Sequence, residues 1–315
     1  MAQAQAQGGA VLSGGVVSTK RKGSSGFFQK VVVPWLFIAP ILFLHLVVVI
    51  GPSMAAFYYS LTDWSGLGVA EFVGFENFRE LIFEDRNYRN ALRHNITWLI
   101  FFLTVPFSMA LVAAAVLAQV RRGSMFFRTV LFMPYILPSV IIVSIWRNLL
   151  SPRLGVGVQL AEWGIPGLDR AFLGEGSTAL LTIAFIDNWH FWGFLMVLFL
   201  AAMQNISPAL YDAAKIDGAN RWQEFRHITV PGILPTLSFM LLMTGIWSFL
   251  VFDYVWILTQ GGPGGASEVM ATYLYKQAFN RFEAGYASAI GLSMSLFAGM
   301  IISVFVFLRT RGWEI

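Results

Sequence analysis

Six long apolar stretches limit what this chain can fold into. Each approaches or exceeds the roughly 20 residues that an α-helix needs to cross the hydrocarbon core of a bilayer. We place them at residues 31–59, 95–119, 126–150, 179–204, 233–258 and 287–309. A soluble domain would have to expose such stretches, and the charged fraction of 12% is far below the roughly 25% of soluble domains. The sequence therefore predicts an all-α, polytopic membrane protein with six transmembrane helices.

The basic residues indicate which loops face the cytoplasm. Twelve of the 21 Lys and Arg residues lie in the N-terminal segment, in the loops after the second and fourth stretches, and at the C-terminal end: Lys20, Arg21, Lys22, Lys30, Arg121, Arg122, Arg128, Lys215, Arg221, Arg226, Arg309 and Arg311. The others are spread over longer loops that also carry most of the acidic residues. Because Lys and Arg are enriched in cytoplasmic loops, both termini are predicted to be cytoplasmic.

The chain ahead of the first stretch differs in composition from the rest. Residues 1–30 are rich in Ala, Gln, Gly and Ser and hold a basic cluster, which is typical of a flexible tail. The first apolar stretch is about twice as long as the core of a signal peptide, so we expect it to remain as a span. The sequence thus predicts a flexible cytoplasmic tail at 1–30 and a six-span domain at 31–315.

The sequence lacks the motifs of several other protein classes. It has no cysteine, which excludes disulfides and thiolate metal sites, and no G-x-x-x-x-G-K-[ST] loop to bind the phosphates of ATP. The hydrolase motifs H-E-x-x-H and G-x-S-x-G are also absent. The net charge of +4 comes from residues between apolar stretches, which are topology signals. We therefore expect no enzyme activity, no metal and no nucleic-acid partner.

The cytoplasmic loop at residues 205–232 has the pattern of a helix-turn-helix. Ser207 as an N-cap, followed by Pro208, predicts a helix start, and Gly218 predicts its end in a left-handed conformation. A second, amphipathic helix is predicted from Asn220 to Pro231. One side of the first helix carries small residues, which let another surface approach closely: Ala213, Ala214, Asp217 and Gly218.

This loop resembles a known family motif. The sequence DAAKIDGA at residues 212–219, followed after eight residues by ITVP at 228–231, resembles the EAA loop of the membrane subunits of binding-protein-dependent ABC importers. Asp212 stands where the family generally has Glu, and Val230 where it generally has Leu. Three further segments resemble the carbohydrate branch of the family, which contains the larger membrane subunit of the maltose transporter: FVGFENF at 72–78, LTQGGP at 258–263 and GYASA at 285–289.

The resemblance implies a permease subunit, with a permease domain at 31–315 and a coupling loop at 205–232. Its partners would be a second homologous permease subunit, two ATP-binding subunits, an extracytoplasmic sugar-binding protein and the lipid bilayer of a bacterial or archaeal plasma membrane. ATP and Mg would bind to the ATP-binding subunits, and no cofactor to this chain. Six residues would dock on the ATPase and couple its hydrolysis to sugar import: Asp212, Ala213, Ala214, Asp217, Gly218 and Ala219.

The fourth and fifth stretches combine polar and aromatic residues. Sugars present hydroxyls for hydrogen bonds and flat C–H faces for stacking on aromatic rings, so this mixture suits a carbohydrate passage. In the family these two spans line the passage, and the matching positions are Asp187, Asn188, Trp189, Phe194, Trp247, Ser248 and Val251. The alternative is that some of these aromatic residues pack against lipid headgroups or another subunit.

Two outer segments and three polar residues of the spans allow alternative interpretations. Residues 75–95 fit an amphipathic helix at the outer membrane surface, which either contacts the binding protein or rests on the bilayer. Four charged residues nearby either meet that partner or are solvated: Glu268, Lys276, Arg281 and Glu283. A proton-coupled secondary transporter could use Asp187, His190 and Asp253 as a relay, although it leaves the EAA-like loop unexplained.

Overall fold

The computed structural model describes residues 28–120, 122–165, 167 and 169–311. Within these residues it is mostly helical, and its strands are limited to Thr62–Asp63 and Glu71–Phe72. Five helices are long and apolar enough to cross a membrane: span 1 (Lys30–Tyr59), span 2 (Arg86–Gln119), span 4 (Ala179–Gln204), span 5 (Leu234–Leu258) and span 6 (Ala284–Thr310). The prediction of an all-α polytopic membrane protein is confirmed.

The chain divides into two units after Met54. The first unit holds most of span 1, in which α-helices and π-helical turns follow one another: Phe28–Val32, Val33–His45, Leu46–Ile50 and Gly51–Tyr59. The predicted tail lies outside the described residues as far as residue 27, and residues 28–30 already belong to the first helix. Four basic residues used for the topology also lie outside them: Lys20, Arg21, Lys22 and Arg121.

The third predicted stretch, residues 126–150, is not one continuous helix. It forms the helices Ser124–Ile136 and Ser139–Leu149, which meet at an angle of 98°. Pro138 has no backbone N–H and disfavours helical geometry in the residue before it, and Leu137 is indeed extended, at φ −77° and ψ 134°. Together the two helices are long and apolar enough to count as one broken span, so the predicted third stretch is a bent pair and not a straight helix.

Span 5 is also interrupted, close to its C-terminal end. The helix Leu234–Leu250 stops at Val251, which is extended, and the chain resumes as the helix Asp253–Leu258. The guanidinium of Arg147 donates a hydrogen bond to the carbonyl of Ile257. This contact joins the second half of the bent pair to the second half of span 5.

The segment at residues 75–95 does not form the single amphipathic helix that its pattern predicts. The structure has a short helix, Glu76–Arg79, and a π-helical turn, Glu80–Glu84, and the chain then breaks at Asp85. The Asp85 carboxylate accepts hydrogen bonds from the backbone N–H groups of Asn87 (2.8 Å) and Tyr88 (3.1 Å). This N-cap starts span 2 nine residues before the predicted position.

Spans 2 and 4 form the centre of the hydrophobic core. A Cβ atom at Gly193 would lie 2.0 Å from the carbonyl oxygen of Leu131, so only glycine allows span 4 to approach the helix Ser124–Ile136 this closely. The largest buried side chains of this core include Trp98, Ile142, Ile183, Leu195, Met196 and Phe199. A second cluster joins the start of span 2 to span 6: Tyr88, Phe249, Met270, Tyr273 and Ile290.

Short elements complete the described chain. Thr62–Asp63 pairs antiparallel with Glu71–Phe72, with Thr62 opposite Phe72. The Asn77 side chain donates hydrogen bonds to the carbonyls of Ser60 (2.8 Å) and Thr62 (2.9 Å), which fixes this hairpin to the following helix. The remaining helices and π-helical turns are Val156–Glu162, Pro208–Ile216, Arg221–Glu224, Phe225–Thr229, Val230–Gly232, Met270–Tyr275 and Lys276–Asn280.

Candidate translocation cavity and coupling loop

A cavity of about 470 Å³ is lined by residues of spans 2, 4 and 5 and by residues at the bend between the helices Ser124–Ile136 and Ser139–Leu149. Aromatic side chains supply much of its wall: Trp98, Phe102, Tyr135, Phe191, Trp247 and Phe252. Polar groups are interspersed among them: Ser139, Asp187, His190, Thr244, Ser248, Asp253 and Tyr254. We refer to this space as the aromatic cavity. Small-molecule sites occupy about 300–1,000 Å³ and combine apolar walls with a few polar groups, so the aromatic cavity has the size and composition of a binding site.

Four of the seven residues predicted to contact the substrate line the aromatic cavity: Asp187, Trp247, Ser248 and Val251. The other three pack elsewhere. The Asn188 amide is buried and lies 3.5 Å from the sulfur of Met109, and Trp189 meets Trp146 edge to face with ring centroids 5.7 Å apart. Phe194 stacks on Tyr135 with ring centroids 4.5 Å apart.

Helical rotation explains why Asn188 and Trp189 do not line the cavity. Successive residues of an α-helix point about 100° apart, so Asp187, His190 and Phe191 share the face towards the cavity while Asn188 and Trp189 turn away from it. Rotation does not separate Phe194, which lies on the same face as Asp187 and packs against Tyr135. Sequence reasoning missed Trp98, Tyr135 and Thr244, which come from distant parts of the chain. The proline at residue 138 is a sequence signal for a bend beside Tyr135, but no pattern near Trp98 separates it from a core aromatic residue.

The polar groups of the cavity differ in whether they have hydrogen-bond partners. The Ser248 hydroxyl donates to the carbonyl of Thr244 in its own helix (2.8 Å), so it is satisfied. The hydroxyls of Thr244 and Tyr254 are buried and have no hydrogen-bond partner among the described residues. Buried polar groups are nearly always paired. Both residues line the aromatic cavity, which makes a molecule that enters it a candidate partner for these two hydroxyls.

One further contact fixes the wall of the cavity. Asn95, buried in span 2, donates from its amide to the backbone carbonyl of Ser248 (2.7 Å) and accepts from the backbone N–H of Met270 (2.8 Å). It thus joins span 2, span 5 and the loop before span 6. Among the described residues, no group of three or more His, Asp or Glu side chains could hold a metal ion.

The coupling loop folds into the predicted helix-turn-helix. The helix Pro208–Ile216 ends near Gly218, whose φ of +76° is the left-handed conformation that the sequence predicts. Asn220 begins the second helix through a reciprocal pair of hydrogen bonds with Gln223 (3.0 and 2.8 Å). One detail of the prediction is wrong, because the side chain of Ser207 makes no capping hydrogen bond.

The two helices of the loop are joined to each other and leave one surface open. The hydroxyls of Tyr211 and Thr229 are 3.0 Å apart, and the rings of Trp222 and Phe225 stack with centroids 5.7 Å apart. Asp212 pairs with Lys215 at 3.1 Å. The six residues predicted to dock on an ATPase are all exposed or half-buried: Asp212, Ala213, Ala214, Asp217, Gly218 and Ala219. Their role in coupling stays a prediction.

At the other end of the helices, Asp85 binds two tyrosines. Its carboxylate accepts hydrogen bonds from the hydroxyls of Tyr273 (2.5 Å) and Tyr286 (2.7 Å). Partial burial raises the pKa of Asp85, but these bonds and the two backbone N–H groups of its cap outweigh burial and hold the pKa below its usual value. Burial, together with the negative charges of Asp85 and Glu283, raises the pKa of the neighbouring Glu80.

The charged loop before span 6 is partly internal. Glu268 is buried, pairs with Lys276 and accepts a hydrogen bond from Thr272 (2.7 Å). Neither expectation for Glu268, a partner contact or a solvated charge, is correct, because its carboxylate is used within the chain. Arg281 and Glu283 are exposed, as both expectations require.

Comparisons with known proteins agree with this architecture. The "Probable ABC transporter permease protein YurN" of Bacillus subtilis is 38% identical over 266 residues, which cover 83% of this chain and 90% of YurN. The "Diacetylchitobiose uptake system permease protein NgcF" of Streptomyces coelicolor is 32% identical over 298 residues, covering 90% of this chain and 84% of NgcF. Both relatives are named as permeases and not as enzymes.

A solved structure shares the fold. The crystal structure of a bacterial alginate ABC transporter in complex with an alginate pentasaccharide-bound periplasmic protein contains a chain with a TM-score of 0.81 and 24% identity, covering 92% of this chain and 98% of the other. The sequence profile described as "Binding-protein-dependent transport system inner membrane component" matches residues 107–311. This multi-pass membrane protein belongs to the family of inner membrane components of binding-protein-dependent transport systems.

Proposed function

We propose that this chain is the permease subunit of an ABC importer that moves a carbohydrate into the cytoplasm. In this proposal two separate ATP-binding subunits hold ATP and Mg and supply the energy, and a second homologous permease subunit completes the membrane part. An extracytoplasmic sugar-binding protein delivers the sugar, and both termini face the cytoplasm. The observation that carries the proposal is an aromatic cavity with free hydroxyls in a chain whose relatives include a diacetylchitobiose permease.

The chemistry of the cavity supports a sugar as the transported molecule. The exposed face of Trp247 can stack on the C–H face of a pyranose ring. The Asp187 carboxylate can accept hydrogen bonds from sugar hydroxyls, and the Thr244 and Tyr254 hydroxyls can donate or accept them. Of the seven predicted contacts, we keep Asp187, Trp247, Ser248 and Val251 as cavity residues and assign Asn188, Trp189 and Phe194 to packing.

The coupling loop supports the ATP-driven part of the proposal. A helix can transmit motion only if it is rigid, and Pro208–Ile216 is fixed by the Tyr211–Thr229 contact and by the Asn220 cap of the helix that follows. Its small exposed residues, such as Ala213, leave room for a closely fitting partner surface. We propose that this surface docks on the ATP-binding subunit and passes its closure to spans 4 and 5.

Uptake in proteoliposomes tests the proposal. The full complex is reconstituted with its binding protein, and accumulation of labelled diacetylchitobiose and maltose is followed with ATP or with a non-hydrolysable analogue in the compartment of the ATP-binding subunits. We expect accumulation of at least one of these sugars with ATP only. Equal accumulation with ATP and with the analogue would contradict ATP-driven import.

A proton-coupled secondary transporter is the second candidate. One observation favours it, because Asp187, His190 and Asp253 all line the aromatic cavity. A protonophore separates the two functions in the same proteoliposomes. Proton-coupled uptake would collapse when the protonophore is added and would not depend on ATP, whereas ATP-driven import would continue.

A further inference from the structure

The aromatic cavity has an uneven charge. Two carboxylates, Asp187 and Asp253, line it together with one imidazole, His190, and the described lining contains no Lys or Arg. The Nδ1 atom of His190 is 3.9 Å from the Asp187 carboxylate. His190 is thus the one described lining side chain that can carry a positive charge, and only when it is protonated. An anionic molecule that enters the cavity would therefore find no permanently positive side chain in the described lining.

The lack of a permanent positive charge matters more here than it would at the protein surface. The lining holds more aromatic than charged side chains, and an ion that leaves water for such a surrounding loses hydration that an opposite charge would have to replace. A sugar acid that enters the cavity would lose this hydration without a basic side chain to pair with, and it would lie beside two acidic residues. A neutral sugar would instead use the same carboxylates as hydrogen-bond acceptors, and a protonated amine would pair with them.

We infer that the aromatic cavity selects by charge: it accepts sugars that carry no acidic group and rejects uronates and other anionic sugars, through Asp187 and Asp253. The inference rests on the proposed function and narrows its substrate class. It separates this chain from the solved transporter of the same fold, which is described as importing the acidic polysaccharide alginate. Thr244 and Tyr254, whose buried hydroxyls have no hydrogen-bond partner among the described residues, also line the cavity.

Binding of three disaccharides of equal length tests this inference. The complex of both permease subunits and the ATP-binding subunits, without the binding protein, is placed in nanodiscs and titrated calorimetrically with three sugars: cellobiose, which is neutral, the β-1,4-linked glucosamine dimer, which is cationic, and the β-1,4-linked mannuronate dimer, which is anionic. We expect the anionic dimer to bind at least about tenfold more weakly than cellobiose, and the cationic dimer to bind at least as tightly.

Variants of the cavity assign the effect to the carboxylates. In Asp187→Asn/Asp253→Asn, the affinity for the mannuronate dimer should rise to within about threefold of that for cellobiose, because amides keep the hydrogen bonds without the charge. Ser139→Lys places a cation in the cavity and should increase binding of the mannuronate dimer, a gain that misfolding cannot produce. As the matched control, Trp247→Ala should weaken binding of all three sugars by a similar factor.

Two results would overturn the inference: equal affinity of the wild-type chain for all three dimers, or unchanged discrimination in the double variant. Either would leave the proposed function intact, because import of an acidic sugar would still be ATP-driven carbohydrate import. Loss of the ATP dependence of uptake would contradict the proposed function and leave the charge preference of the cavity in place.

Discussion

The hydroxyls of Thr244 and Ser248 lie one helical turn apart in the cavity wall, but they differ in their partners. Ser248 bonds to its own helix, whereas Thr244 has no hydrogen-bond partner among the described residues. Leaving a buried polar group unpaired costs about 1–3 kcal/mol. Such a cost is tolerated at a site whose task is to bind another molecule.

A substitution at Thr244 should therefore separate stability from transport. Thr244→Val keeps the shape and removes the unpaired hydroxyl, so we expect an unchanged or higher melting temperature together with several-fold slower sugar uptake. Ser248→Ala is the matched control and should affect uptake less, because the Ser248 hydroxyl already bonds to its own helix. Equal uptake by wild type and Thr244→Val would show that this hydroxyl does not contact the sugar.

Asp85 gives a prediction about acid stability. Its hydrogen bonds favour the charged form, so its folded-state pKa lies below the unfolded value of about 3.9. The sign follows from linkage: the stabilisation is complete above the unfolded pKa and is lost as pH falls through the folded pKa. Asp85→Asn should lower the free energy of unfolding by about 1–3 kcal/mol at pH 7, since hydrogen bonds to a charged group are broken.

Denaturant unfolding in detergent between pH 7 and pH 3 measures the difference in the free energy of unfolding between wild type and Asp85→Asn. The difference in free energy of unfolding between wild type and Asp85→Asn should narrow as the pH falls below about 4, because Asp85 of the unfolded wild-type chain then binds a proton that the folded chain binds only at lower pH. Glu71→Gln, which neutralises an exposed carboxylate, is the control and should change little at any pH. A gap that stays constant down to pH 3 would mean that the Asp85 charge does not stabilise the fold.

Among the elements, the coupling loop has a turn whose geometry depends on the backbone conformation of one residue. Gly218 has a positive φ and open space around it, so a larger side chain meets no neighbouring atom but must adopt the left-handed conformation, at about 1–2 kcal/mol. The strain can instead be relieved by redirecting the second helix. A change at Gly218 therefore tests the geometry of the turn and not its packing.

Gly218→Val should insert and fold normally but lose ATPase association or coupled transport, because the β-branched side chain opposes the turn. Gly218→Asn is the matched control, since Asn tolerates the left-handed conformation, and it should retain most of the activity. Ala214→Arg should also uncouple the complex by its volume. Subunit stoichiometry and sugar-stimulated ATPase activity measure both effects, and wild-type values in Gly218→Val and Ala214→Arg would make the loop a passive connector.

The elements also show how far the sequence can predict the structure. Apolar length predicts the long spans because membrane helices need little more than length and hydropathy, and Pro208, Gly218 and Asn220 predict the coupling loop through local backbone rules. The bend at Pro138 is harder to predict, since prolines inside helices elsewhere in this chain, such as Pro106, do not break them. The cavity residues were predicted in part, because a polar residue in an apolar stretch indicates a site but not the face on which it lies.

At the scale of the whole molecule, the orientation in the membrane can be measured with single cysteines in this cysteine-free chain. Cysteine at Glu84 or Glu283, both exposed, should react with a membrane-impermeant maleimide in intact cells, because the distribution of basic residues places them outside. Cysteine at Arg309, also exposed, should react only after permeabilisation. Labelling at Arg309 in intact cells would show that the orientation is the opposite of the predicted one.

The two interrupted helices have an electrical consequence. Irregular backbone at membrane depth is tolerated where it borders water or protein, and Val251 and Phe252, at the break in span 5, line the aromatic cavity. A hydrated cavity offers little resistance, so the membrane voltage falls mainly across the thinner insulating layer between the cavity and the opposite solution. A potential of 100 mV is worth about 2.3 kcal/mol for an elementary charge that crosses the full field. Under the proposed function, a charge that crosses that thinner layer would do most of this work, and a molecule inside a hydrated cavity would experience little of it.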